Sequence, residues 1–318
     1  MLYRLFIILL LTILHYGSIQ CYSQRYQFNH FSNSEGLTQP FIYTINQDDQ
    51  GFLWIGTGAG LFRFNGFQFT QFTPKDSLAG NFVTQSLKDH NGNLWFGHMN
   101  GGITLYNGDH FVKIDPGESQ NSITGIAEGN NGNIWISTQR KGILRVDPQQ
   151  NVHRISSPFE QAYISSIKCL ENGYILIGTD QHLSLFRFNP EGEGLVMQRK
   201  IKRFSRGNVT AIIGSDKEDK LFAISRGQGI FSLKRNKNSM HFNISRIDSL
   251  GEEELGNIQD GITDREGNVW VSLMGSGVYK FDPDKTNGQN LHLTSEKGLP
   301  TNDVRCLFED REGNIWFG

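Results

Sequence analysis

Gly51-Phe52-Leu53-Trp54, Gly92-Asn93-Leu94-Trp95, Gly132-Asn133-Ile134-Trp135, Gly267-Asn268-Val269-Trp270 and Gly313-Asn314-Ile315-Trp316 are one phrase written five times, and they hold every tryptophan of the chain. Two weaker copies, Gly173-Tyr174-Ile175-Leu176 and Asp219-Lys220-Leu221-Phe222, fill the long gap between the third and fourth. The step between copies is about 40 to 48 residues, the period of a four-stranded propeller blade. Outward from Trp54 the first unit reads as four short strands. Phe41–Ile45 is strand a, and Asp48-Asp49-Gln50-Gly51 is a turn. Phe52–Gly56 is strand b, and Thr57-Gly58-Ala59-Gly60 is a loop. Leu61–Phe64 is strand c, Asn65-Gly66 is a hairpin signal, and Phe67–Phe72 is an alternating strand d.

No helical periodicity separates the units, so a parallel α/β sheet is excluded and radial stacking is expected. The fold class is all-β: a seven-bladed β-propeller with four-stranded antiparallel blades, occupying residues 24–318. Its last blade is incomplete, because the chain stops at Gly318 after strand b of unit seven. That leaves a bare sheet edge, and the chain is expected to be part of a longer protein. Tyr26–Phe31 is expected to close the ring as an outer strand of the last blade.

Residues 1–23 read as an export signal: Arg4, an apolar run from Leu5 to Leu14, and small residues at Ser18 and Ser23. Gln20 precedes Cys21 where a lipidation signal needs a small side chain, so lipidation is not expected. Cys169 and Cys306 lie three to four blades apart, too far for a disulfide. A net charge of -2 gives no footprint for nucleic acid.

Asp48, Asp89, Asp264 and Asp310, with Asp216 in unit five, occupy the same slot before strand b. Asp264-Arg265-Glu266-Gly267 offers two carboxylates, but a turn repeated this often reads as Asp capping and Gly at positive φ, not as metal ligation. Calcium-loop spacing is absent. The tryptophans read as wedges between blades and not as a sugar platform. Gly58-Ala59-Gly60 leads into a strand, so the helix that a nucleotide fingerprint needs is missing. No nucleophile elbow, paired His ligands or Cys-x-x-Cys occurs, and Glu252-Glu253-Glu254 reads as a solvated charge run. No cofactor, metal or catalytic residue is expected.

A binding surface is expected where the copies differ, which is in the loops between strands b and c, around the mouth of the central channel. Arg140, Lys141 and Arg226 supply cations there. His98, Asn100, Gln139, Asp180, His182 and Gln228 supply hydrogen-bonding groups. Such a rim suits a polar or acidic ligand.

Gly36-Leu37, Asp48 with Gly51, Trp54-Ile55-Gly56-Thr57, Gly60-Leu61 and Phe64-Asn65 resemble the two-component regulator propeller repeat. So does Gly298-Leu299-Pro300-Thr301-Asn302-Asp303-Val304 followed by Glu309–Gly318. The resemblance covers about residues 28–318. Units four and five depart from it by lacking the Trp. It implies the exported, periplasmic sensor region of a hybrid two-component system of the Bacteroidetes type, anchored in the inner membrane and dimeric in full length. It further implies a second propeller, a β-sandwich, a membrane helix and a histidine kinase beyond these residues, and often an oligosaccharide as the signal. The alternatives are a protein-interaction propeller without a signalling role and a propeller lyase or hydrolase.

Overall fold

A computed structural model of the chain describes residues 26–117, 121–159, 161–170, 173–192, 194–204, 207–215, 220–236, 241–285 and 291–318. The expected export signal, residues 1–23, and Asp216 lie outside them. The chain divides into two units, Met1–His30 and Phe31–Gly318. In the first, Tyr26–His30 form no helix or strand. The second is a β-propeller.

Six sheets have four antiparallel strands each, hydrogen-bonded in the order a-b-c-d. In blade 1 the strands are Ile42–Gln47, Leu53–Thr57, Gly60–Phe64 and Phe69–Phe72. The inner a strands of blades 2 to 6 are Val83–Lys88, Ile123–Glu128, Ile164–Cys169, Asn208–Ser215 and Ile258–Thr263. The seventh copy of the repeat forms only a two-stranded sheet, Leu307–Glu309 with Ile315–Phe317. The structure thus shows six blades and not the expected seven: the last unit, expected as an incomplete seventh blade, forms only a small two-stranded sheet. The short sheet sits between blade 6 and blade 1. Leu307 N donates to Asp260 Oδ2 at 3.1 Å on one side, and Arg311 N donates to Gln47 Oε1 at 2.8 Å on the other.

Tyr26–Phe31 does not form the expected closing strand. Phe31 acts instead as a side-chain plug. Its ring lies 4.7 Å from that of Phe64 in blade 1 and 5.7 Å from that of Trp316 in the last sheet. Glu252–Gly256, expected as a solvated run, forms one helical turn. Glu254 caps it through the Gly251 amide and accepts a 2.6 Å hydrogen bond from the Tyr279 hydroxyl.

The core lies between the blades. Trp54 on strand b of blade 1 packs with Val83, Leu94, Phe96 and Tyr106 of blade 2, and Trp95 packs likewise on Ile123, Ile134 and Ile136 of blade 3. Trp54, Trp95, Trp135 and Trp270 are buried, while Trp316 in the short sheet is half-buried. A strand-b residue has a sheet on each side, so its large aromatic ring fills the wedge that radial stacking leaves.

Four of the five turns before a tryptophan are also polar clamps, the exception being the turn before Trp135, where Gly129 holds the Asp position. The carboxylates of Asp48, Asp89, Asp264 and Asp310 accept the indole N–H of Trp54, Trp95, Trp270 and Trp316 at 2.7 to 2.9 Å. Their other oxygen accepts the backbone N–H four residues on, at 2.8 to 2.9 Å. Burial pushes the Asp264 and Asp310 carboxyls up, but the indole, amide and backbone donors outweigh it and hold both below the usual range. The turn reverses after Gly at positive φ, as at Gly51 (93°), which lays position i+6 over position i.

Candidate functional site

The b–c loops and the segments leading into each strand a lie together on one face. Met99 N donates to Phe82 O at 2.9 Å, Gln139 N to Ser122 O at 2.9 Å, Asp180 N to Tyr163 O at 3.3 Å and Met274 N to Asn257 O at 3.0 Å. Strand a enters this face through a β-bulge in every complete blade. The extra residues are Tyr43, Thr84, Thr124, Ser165, Thr210 and Gln259. Five of them are polar and serve the scaffold. Thr84 Oγ1, for example, donates to Ile123 O of the next blade at 2.8 Å, and Ser165 Oγ to Val209 O at 2.7 Å.

Tyr43 is the exception. Its ring lies 4.6 Å from that of Phe82, and the Arg305 guanidinium sits 5.7 Å from its centroid. The same guanidinium lies 4.9 Å over Phe41, which is 52% exposed, and Met99 on the neighbouring loop is 53% exposed. Bulges commonly re-aim a side chain beside a site. Here one brings together aromatic rings of blades 1 and 2 and the Arg305 cation that precedes the short sheet.

The nine residues picked from the b–c loops fare unequally. Arg140, Lys141, Asn100 and Asp180 are exposed, whereas Gln139, His182, Arg226 and Gln228 are half-buried. Arg226 is a strut: its Nε donates to Ile258 O at 2.9 Å and a terminal nitrogen to Gln259 Oε1 at 3.3 Å, tying blade 5 to blade 6. Asn100 closes its own loop through Ala79 O at 3.0 Å and the Gly102 amide at 3.1 Å.

His98 is fully buried. It fills the slot in which Thr57, Thr138 and Thr179 clasp the loop in other blades. Its Nε2 pairs with Thr104 Oγ1 at 2.8 Å, and Nδ1 has no hydrogen-bond partner among the described residues. Burial pushes the imidazole down to about 4, with a weaker upward pull from the Gly80 carbonyl. It is therefore neutral at pH 7 and offers no charge to a ligand. The His182 imidazole is also lowered, first by burial and then by Lys200.

The low value at His98 has a consequence for acid stability. The folded pKa lies below the unfolded value, so its contribution is present above about pH 6.5 and is lost as the pH falls towards 4. Up to about 3 kcal/mol is at stake. Denaturation midpoints measured between these limits should fall more steeply for the wild type than for His98→Thr. Parallel slopes would show that His98 is not the titrating group.

Two-component regulator propeller models match residues 36–59, 77–100, 117–140 and 298–318. These are two-component regulator propeller repeats. The structure is similar to the extracellular domain of the hybrid two-component system BT4673 from B. thetaiotaomicron, at 19% identity and a TM-score of 0.70 over 93% of this chain and 38% of that one. The corresponding domain of BT3049 from the same organism matches at 20% identity and 0.70, over 91% of this chain and 40% of that one. The chain thus spans about two fifths of the length of these extracellular domains. Virginiamycin B lyase from Staphylococcus aureus matches at 16% identity and 0.65, over 87% of this chain and 91% of that one. At such identities the likeness concerns the fold. No curated protein matches the sequence.

Among the described residues no helix is long and apolar enough to cross a membrane. The same residues contain no group of three or more His, Cys, Asp or Glu placed to hold a metal ion. Cys169 and Cys306 are free thiols, and burial raises both, Cys169 to about 12. The b–c loops singled out in the sequence do share one face with the segments leading into each strand a, and the sequence reading did not single out Phe41, Tyr43, Phe82 or Arg305 beside them. The available signal was the single aromatic residue in a slot that other units fill with Thr, Ser or Gln.

Proposed function

We propose that this propeller is the exported ligand-reading segment of a membrane-bound two-component signalling protein, and that it reads an oligosaccharide on its b–c face. The observation that carries the reading is the departure of Tyr43 from the polar bulge rule, which joins Phe41, Phe82 and Arg305 into one accessible cluster. Aromatic faces stack on the apolar face of a pyranose ring. Arg305, with Arg140 and Lys141 farther round the rim, favours a sugar that carries an acidic group. The repeat family and the likeness to extracellular domains of two-component systems support a sensory role over a catalytic one. Phosphotransfer would belong to a kinase elsewhere in a longer chain. A second propeller, a β-sandwich and a homodimeric arrangement would carry the signal to it.

The test uses Tyr43→Ala and Arg305→Ala in the full-length protein, with reporter induction recorded against a panel of neutral and acidic oligosaccharides. Each variant should shift the dose response to higher concentration by about tenfold, equivalent to one lost contact of ~1.4 kcal/mol. An unchanged response at normal protein level would place recognition outside this propeller.

A further inference from the structure

Charge is not spread evenly along the chain. Thirteen of its thirty Lys and Arg fall between Arg187 and Arg246, against five Asp and Glu, although the whole chain carries a net charge of -2. That span holds most of the outer half of blade 4 and all of blade 5. Its arginines gather at the seam between the two blades. Leu185 on strand c of blade 4, Leu183–Asn189, belongs to an apolar cluster shared with Phe231 and Leu233 of blade 5. Arg187 lies two residues on from Leu185, on the same side of the strand, and its guanidinium sits 5.7 Å over the Tyr174 ring. Arg199 on strand d pairs directly with Leu185, so it shares that side. Beyond the end of strand d, Arg203 lies 5.2 Å over Phe231 of blade 5. Arg235 comes in from blade 5, two residues on from Leu233 and on the same side of its strand.

Arg187 and Arg203 are exposed, and Arg199 and Arg235 are half-buried. Among the described residues none of these four guanidinium groups has a carboxylate partner, whereas Arg246 of blade 5 is held by Asp248 at 2.6 Å. Like charges gathered without counter-charge repel one another, and a bound anion relieves that cost. The arrangement suits an extended anion. Leu185 to Arg187 is one two-residue step, about 7 Å, so Arg187 and Arg199 offer their forks at successive positions and Arg203 continues the row. Each guanidinium takes a sulfate or carboxylate group through two parallel N–H donors. Val196, directly across from Arg187 and 50% exposed, adds an apolar edge for the C–H face of a sugar ring. Among the described residues no aromatic side chain at this seam is exposed, so unstacked bases of a nucleic acid have no platform.

We propose that the outer seam of blades 4 and 5 is a docking surface for a linear acidic polysaccharide, whose sulfate or carboxylate groups are held by Arg187, Arg199, Arg203 and Arg235. Other blades build it than those that carry Phe41, Tyr43 and Phe82, and it does not depend on that cluster's role.

The experiment follows fluorescein-labelled heparin by fluorescence anisotropy as the full chain is added. Binding should saturate and weaken steeply with added salt. Unlabelled heparin and polygalacturonate should displace the probe, whereas inorganic sulfate, duplex DNA and phosphatidylglycerol vesicles at equal total charge should not. Combining Arg187→Gln, Arg199→Gln and Arg203→Gln should raise the Kd at least roughly tenfold and flatten its salt dependence. Lys113→Gln, an exposed cation on blade 2, should change the Kd less than about twofold. Circular dichroism checks that the variants fold. Four results would overturn the proposal: no saturable binding, a triple variant that binds like Lys113→Gln, displacement by sulfate, DNA or vesicles as good as by heparin, or sedimentation showing a dimer of this chain that the triple variant abolishes. The wild-type titration and competitions decide even if the triple variant folds poorly.

Discussion

Trp54→Ala should lower the stability of the propeller by about 3 to 5 kcal/mol, the usual loss for a large aromatic removed from a core. Trp54 is the most enclosed of the five tryptophans, with no exposed surface. Its ring lies 4.6 Å from that of Tyr106, 5.6 Å from Phe72, 5.8 Å from Phe111 in edge contact and 6.0 Å from Phe96. Those partners come from blades 1 and 2, so removing the indole opens a cavity across the blade boundary that neither sheet can fill alone. Arg63, over the ring at 5.7 Å, loses a face to stack on as well. Urea denaturation followed by circular dichroism measures the loss. A cost under about 1 kcal/mol would mean that the wedge collapses freely and that blade contact does not depend on it.

Asp48→Ala is the second large effect, and it tests the clamp and not the wedge. The variant strands a buried indole N–H and removes the acceptor of the Phe52 amide, bonded at 2.8 and 2.9 Å respectively. Leaving a buried donor without a partner costs more than the bond itself contributes, and a carboxylate bond is stronger than a neutral one. The expected loss is about 2 to 3 kcal/mol. In a Trp54→Phe background the same substitution strands no indole, and its cost should fall to about 1 kcal/mol. The difference is the coupling energy of the pair. If the two costs add without coupling, the Asp–Trp contact does not contribute to stability as a pair. The repeated spacing would then reflect the turn alone.

The spacing of the tryptophan phrase made the blades legible because a blade is a local object. Its four strands are consecutive, its turns are short, and Gly51 or Asn65-Gly66 sits where the backbone must reverse. Even the weak copies around Leu176 and Phe222 became full four-stranded sheets, since burial of an apolar residue at that slot suffices. The site was less legible. Arg226 looks like a free cation in its loop, yet its partners are Ile258 and Gln259, about thirty residues away on the next blade. His98 looks like a loop histidine, but it occupies a buried clasp position, and desolvation keeps it neutral.

By itself, the sequence determined an all-β propeller, its blade phase, the wedge tryptophans and the face on which loops diverge. All of these follow from periodicity and turn chemistry within one repeat. Only the tertiary structure showed that Phe31 packs between Phe64 of blade 1 and Trp316 of the last sheet and does not extend it as a strand. Only it showed that Asp48 and Trp54 meet through their side chains, that Trp135 lacks the same partner, and that Arg305 comes to rest over Phe41. The reason is that these contacts join residues on different strands or different blades. Burial, hydrogen-bond satisfaction and charge at such places are set by neighbours that a single repeat cannot specify.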